Sequence, residues 1–174
     1  MLQNGKIGVL GTDTLYGLVG SAMDENVVAR IFEIKGRQEN KPLIILISSY
    51  DDTELFGIKV TPQLKLVLEK YWPSSVSIIL PCPDLKFSYL HRGTNTLAFR
   101  LPAKESLIEI LKKTWPLVAP SANPEGLPPA KTTAEAKKYF GDRIDFYIDE
   151  GLIDNPPSKL ISIDKNNKIN VLRQ

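Results

Sequence analysis

The sequence predicts an α/β protein with an open, twisted, mixed sheet layered with helices. Three observations predict it: short β-branched runs alternate with stretches of helical apolar period, capping residues stand at several boundaries, and 43% of the 174 residues are hydrophobic. That content is enough to bury a core in one domain spanning residues 1–174.

Lys6 to Leu10 is a β-branched run stopped by Gly11, a strand feeding a loop. Asp24 can cap a helix whose buried stripe is Val27, Val28, Ile31, Phe32 and Ile34, closed near Gly36. Leu43 to Ile47 has the length and all-round apolarity of a buried strand. Thr61 with Pro62 is a cap followed by a first-turn proline, and Leu64, Val67, Leu68 and Tyr71 mark one helical face up to Pro73. Val76 to Leu80 and Thr96 to Arg100 read as strands, the second followed by an amphipathic helix carrying Leu107, Ile108, Leu111 and Trp115. Leu117 to Ala119 is a brief strand, and Pro120 to Pro129 a loop ended by a capping box of Thr132 and Glu135. Gly141 ends that helix. Ile144 to Ile148 is a further strand, and Lys159 to Asp164 with Ile169 to Leu172 form a hairpin around Asn166-Asn167.

Several function classes are set aside by composition. The longest aliphatic run, Leu43 to Ile47, is too short to cross a bilayer, and the opening MLQNGK lacks a signal-like apolar stretch, so a cytoplasmic location and no membrane partner are expected. One cysteine, Cys82, and one histidine, His91, leave no zinc cluster and no Ser-His-Asp set. Cys82 lies between prolines without a base, and His91 is assigned to the surface of a loop-like stretch. A formal charge of +2 is too small to argue nucleic-acid binding on bulk electrostatics. Neither a P-loop nor a G-x-G-x-x-G turn is present, so a nucleotide would be held by other means.

Ligands of open α/β sheets gather beyond strand ends, and five polar segments stand there. Thr12 to Leu18 offers hydroxyls and a carboxylate, or simply a Ser/Thr turn. Lys35-Gly36-Arg37, with Lys41-Pro42 beyond, is either an anion site or a helix C-terminus whose dipole attracts cations. Arg100 ends a strand, as a binding group or as a surface residue lying over apolar neighbours. Pro120-Ser121-Ala122-Asn123 offers neutral donors and acceptors, or a capped proline loop. Pro157-Ser158 precedes the last hairpin.

Taken in order, these segments resemble the YrdC/Sua5 family of threonylcarbamoyl-AMP synthases, from about Ile7 to Arg173. Thr12 to Leu18 is similar to that family's P-T-D-T-x-Y-G-L, Lys35-Gly36-Arg37 to its K-x-R, and Trp72 to Ser77 to its W-P-G-P-x-T. Leu97 to Pro102 is similar to its A-x-R-x-P strand, Pro120 to Asn123 to its S-x-N, and Pro157-Ser158 and Arg173 fall at its P-S and late Arg. Departures stand at Gly11, where the family has Pro, at Pro73-Ser74-Ser75, at Ser77, and at Leu46, where some members carry His. The chain ends where longer members continue into a second domain, as a short form would.

The resemblance implies a YrdC-like fold with a concave basic face and a nucleotidyltransferase, an L-threonylcarbamoyladenylate synthase. It would join L-threonine, bicarbonate or CO2, and ATP into threonylcarbamoyl-AMP and pyrophosphate. A tRNA threonylcarbamoyl transfer complex, and tRNA itself, would be the partners, the product serving to modify adenosine in tRNAs that read ANN codons. It further implies Lys35 and Arg37 as catalytic groups on the triphosphate, with Mg2+ bridging phosphate oxygens. Lys41, Ser121, Asn123, Ser158 and Arg173 would hold the rest of ATP; Thr12, Thr96 and Arg100 would hold threonine, Arg100 at its carboxylate. Metal ligands are unassigned. Two rivals remain at this stage: an RNA-binding module of the same fold without adenylating activity, and a carbamoyl-adenylating relative of much greater length.

Overall fold

The computed structural model describes residues 1–38, 41, 43–164, 166 and 168–174. Pro42 of the second polar segment and Asn167 of the last turn, both singled out above, lie outside the described residues.

The strands are β1 (Gly8–Gly11), β2 (Tyr16–Ser21), β3 (Ile44–Leu46), β4 (Val76–Pro81), β5 (Thr96–Arg100), β6 (Leu117–Val118), β7 (Phe146–Tyr147), β8 (Lys159–Ile163) and β9 (Ile169–Arg173). The α-helices are α1 (Glu25–Lys35), α2 (Pro62–Leu68), α3 (Ser88–His91), α4 (Glu105–Thr114) and α5 (Thr133–Phe140). Caps fix their ends as the sequence predicts. Asp24 accepts from the N–H groups of Asn26 and Val27, Gly36 closes α1 in the left-handed conformation at φ 58°, and Thr61 accepts from Leu64 N–H. At α5 the expected box is modified: Thr132 accepts from Glu135 N–H, but the Glu135 carboxylate bonds the N–H of Lys131 rather than that of Thr132.

Among the described residues the sheet has the order β7-β1-β2-β6-β3-β5-β4-β8-β9. It is mixed: β3 pairs with β5 in parallel and β4 with β8 in parallel, whereas β6 and β4 run against their neighbours β3 and β5. Alternation along each strand separates two faces. One carries Ile45, Leu97, Phe99, Ile78 and Ile161 into a large core with the apolar stripe of α1 and with Leu68, Leu90 and Phe140. The other carries Leu46, Leu117 and Val19 under Leu107 and Leu111 of α4. Helix α4 covers only part of that second face. The rest, floored by Ile44, Ile79, Ala98 and Leu160, stays open.

Four expectations are corrected. The strand read from Lys6 begins at Gly8, and β2 begins inside the Thr12 to Leu18 segment read as a loop and runs on to Ser21. Its glycines disguised it: a Cβ on Gly20 would lie 2.4 Å from Val27 Cγ1, so α1 packs directly on the β2 backbone. Trp115 lies beyond α4 with φ 68° and is 59% exposed, so it is not part of the buried face of that helix. His91 is buried in α3, not on the surface; Nδ1 accepts from Gly93 N–H and Nε2 faces Asp84 O, so both ring nitrogens are used internally. No helix among the described residues is long and apolar enough to cross a membrane.

Candidate active site

The turn between β1 and β2 is built by Thr12. Its Oγ1 accepts from the N–H groups of Thr14 and Leu15, donates to Leu15 O at 2.7 Å and lies 3.1 Å from Thr14 Oγ1. Thr12 therefore lines the site with a hydroxyl already occupied by the turn. Thr14 turns its own Oγ1 toward Arg100, which donates to it through Nη1 at 3.2 Å. Tyr16, the first residue of β2, is fully buried; its hydroxyl donates to Gly151 O and accepts from Glu150 N–H, tying the 149–151 segment to the site.

Arg100 ends β5 and is 3% exposed. Thr96, Ala98 and Arg100 alternate onto the open face while Leu97 and Phe99 enter the core. Arg100 Nη2 lies 3.1 Å from Asp13 Oδ1, close enough for ion pairing. The two are nevertheless poorly aligned, because both Asp13 oxygens and Arg100 Nε lack a hydrogen bond. Burial pushes the Arg100 pKa down; Asp13 opposes this, and the nearby positive charge of Arg173 adds to it.

Gly36 turns the chain out of α1 and sends Lys35 and Arg37 in different directions. Lys35 is 2% exposed, and its ammonium donates to Ser121 O and Asn123 O, each at 2.5 Å. Burial above all, then the Arg37 charge, lowers its pKa to about 7, with Glu125 pulling the other way. Asn123 in turn accepts from Ser121 Oγ at 2.6 Å and donates to Leu127 O, also at 2.6 Å. Strand β2 holds this loop through Leu18 N–H to Pro120 O and Ala122 N–H to Tyr16 O. Arg37 donates through Nε to Lys41 O at 2.8 Å, and its pKa is lowered by burial.

Ser158 precedes β8, and its Oγ pairs with Ser77 Oγ of β4 at 2.9 Å. Arg173, at the end of β9, grips Ser158 O with Nε and Nη2 at 3.0 and 2.8 Å. The turn that departs from the family pattern is closed by side chains. Ser74 Oγ accepts from Val76 N–H and donates to Tyr71 O, while Trp72 Nε1 donates to Val76 O at 2.7 Å.

These groups meet around two adjoining compartments on the open face, each of about 300 Å³, joined through Arg37, Ile44 and Arg173. Thr12, Arg100, Ser121 and Ser158 line the first; Lys41, Thr96 and Ala98 line the second. Because the sheet is mixed, the residues come from both ends of its strands and meet over the face, not beyond one edge. Lys35 and Asn123 touch Ser121 yet do not line either compartment. Thr96 stands four positions before Arg100 along β5, about 13 Å away, and sits in the other compartment. Leu46 lies under Leu107 and Leu111, away from the cavity. Sequence reasoning missed Tyr16 and Ser77 as supports; burial of their hydroxyls is visible only once β2 and β4 are in place.

Chemically, the site is a cationic cavity with neutral hydroxyls and no thiol or imidazole. Burial raises the pKa of Cys82, which bonds Phe56 O away from the cavity. Among the described residues no three His, Cys, Asp or Glu side chains gather to hold a metal ion, and Asp13 is paired to Arg100. The donor set therefore does not fit a protein-held divalent cation.

Comparison with known proteins places this architecture. A threonylcarbamoyl-AMP synthase of Pyrococcus abyssi is 35% identical over 151 residues, 86% of this chain and 44% of that protein. A protein of Methanocaldococcus jannaschii named putative threonylcarbamoyl-AMP synthase is 31% identical over 98% of this chain and 80% of its own length. The structure of P. abyssi Sua5 complexed with L-threonine superposes with a TM-score of 0.87 at 31% identity, covering 99% of this chain and 51% of that one. E. coli YciO, at 18% identity and a TM-score of 0.85, shares the fold. The chain thus spans about half the length of the P. abyssi and Bacillus subtilis synthases it matches, the aligned residues covering 44% of each. The family model for Sua5, YciO and YrdC, described as telomere recombination, matches residues 1–174, and the chain belongs to that family.

Proposed function

We propose that this chain is an L-threonylcarbamoyladenylate synthase, forming threonylcarbamoyl-AMP and pyrophosphate from L-threonine, bicarbonate or CO2, and ATP. The observation that carries the reading is Arg100: a buried guanidinium, incompletely bonded by Asp13, lining a cavity that also receives Arg37 and Arg173. A buried cation left partly unsatisfied is costly unless a ligand anion completes it. The threonine carboxylate has the right charge and fork geometry for Arg100. Likeness to the P. abyssi Sua5 structure complexed with L-threonine supports the same choice.

Arg37, Lys41 and Arg173 then face the triphosphate, with Ser121 and Ser158 as hydrogen-bonding groups near the α-phosphate and ribose. Lys35 and Asn123 act one step back, fixing the carbonyls and hydroxyl of the Ser121 loop. A carbamate oxygen of N-carboxythreonine attacks the α-phosphorus in line. The bond to the bridging oxygen breaks, and pyrophosphate leaves with the electron pair. The carbamate is already an anion, so no side-chain base is needed. The cations work by holding the reactants in line and stabilising charge on the departing oxygens. The adenylate would pass to a tRNA-modifying complex.

Incubation of the protein with ATP, bicarbonate and each amino acid in turn tests the reading through pyrophosphate release. Release selective for threonine supports it. ATP-independent, steeply salt-dependent RNA binding without release would favour the RNA-binding module instead.

A further inference from the structure

Glu125 lies where the two loops of the basic cluster meet, outside every motif noted above. Its Oε1 accepts from Lys41 Nζ at 2.5 Å and its Oε2 from Gln38 N–H at 2.6 Å. Its own N–H donates to Lys35 O at 2.7 Å. Both ends of this residue therefore grip the segment that leaves α1. The Lys41 hydrogen bond first, then the Gln38 N–H, holds its pKa below the usual carboxylate range, so it is an anion at neutral pH. Stability does not explain it. The Lys41 and Glu125 side chains are 49% and 24% exposed, and pairs that exposed contribute little to folding.

We infer that Glu125 sets the anion affinity of this site: it is a built-in carboxylate that competes with polyphosphate for Lys41, so that pyrophosphate is held loosely. The inference rests on the triphosphate assignment above and deepens it. A lysine ammonium has three donors, and one is already on Glu125. A diphosphate entering the second compartment takes what remains and meets a like charge across the same ammonium. The repulsion acts on any bound polyphosphate, which weakens ground-state retention and favours departure of the product.

Calorimetric titration of inorganic pyrophosphate at fixed ionic strength tests this on five proteins: wild type, Glu125→Gln, Glu125→Asp, Lys41→Met and the double variant of Glu125→Gln with Lys41→Met. Glutamine keeps an oxygen for Gln38 N–H while removing the charge. Glu125→Gln is expected to bind pyrophosphate about tenfold more tightly, a gain absent in the Lys41→Met background. Glu125→Asp, which keeps the charge, is expected to stay near wild type. Equal or weaker binding by Glu125→Gln overturns the inference and makes the residue a strut. A gain that survives Lys41→Met overturns it too, because the shared cation is then not Lys41. If wild type and all variants ignore pyrophosphate, the triphosphate assignment itself falls.

Discussion

Arg100 Nη2 approaches Asp13 Oδ1 to 3.1 Å, yet Arg100 Nε and both Asp13 oxygens remain without a hydrogen bond. A pair this close and this poorly aligned is set to accept a third, anionic member. Shortening the fork to a point charge removes the bidentate geometry while keeping the cation. Arg100→Lys is expected to lower kcat/KM for threonine by about 100-fold, mostly through KM, while KM for ATP changes little. Steady-state pyrophosphate release at varied threonine measures it.

The Lys35 ammonium buried against the Ser121 and Asn123 carbonyls gives a pH-dependent prediction. Its folded pKa, about 7, lies below the ordinary lysine value of 10.5. Between those values the unfolded chain binds the proton and the folded one does not, so this group makes stability rise with pH across that window, by at most about 1.4 kcal/mol per unit. Below about pH 7 the folded state carries the full cost of a buried cation. Denaturant unfolding at pH 7, 8 and 9 should show the rise in wild type and lose it in Lys35→Met.

Much of this architecture was legible because local signals agreed. Asp24 and Gly36 bracket α1, Thr61-Pro62 starts α2, and Thr96–Arg100 is a strand with its predicted bounds. Strand β2 escaped in part because Gly20 answers to a helix packed across it, a tertiary fact with no local trace. The site was legible as a set of segments but not as geometry. Sequence order cannot reveal that the Lys35 ammonium turns toward loop carbonyls while Arg37, two residues on, lines the cavity. Nor does it show that Thr96 and Arg100 stand in different compartments.

Leu46 separates packing from chemistry. It is fully buried beneath α4, next to Leu107 and Leu111. Leu46→Ala should cost about 2–4 kcal/mol of stability through the cavity it leaves, with KM for threonine unchanged in the folded fraction. Thermal melts paired with kinetics decide it.

The Tyr16 hydroxyl is the tie between β2 and the 149–151 segment. Tyr16→Phe keeps the ring but leaves Glu150 N–H and Gly151 O without this partner, at a cost of about 1–3 kcal/mol. Faster amide exchange at Glu150 and Gly151 than in wild type is the expected readout.

The central claim is that one cationic cavity seats an amino-acid carboxylate on Arg100. Calorimetric titration of L-threonine into wild type and Arg100→Lys tests it most directly. The account predicts saturable, one-to-one binding that the variant loses. Threonine binding of equal strength in both proteins, or in neither, would contradict it.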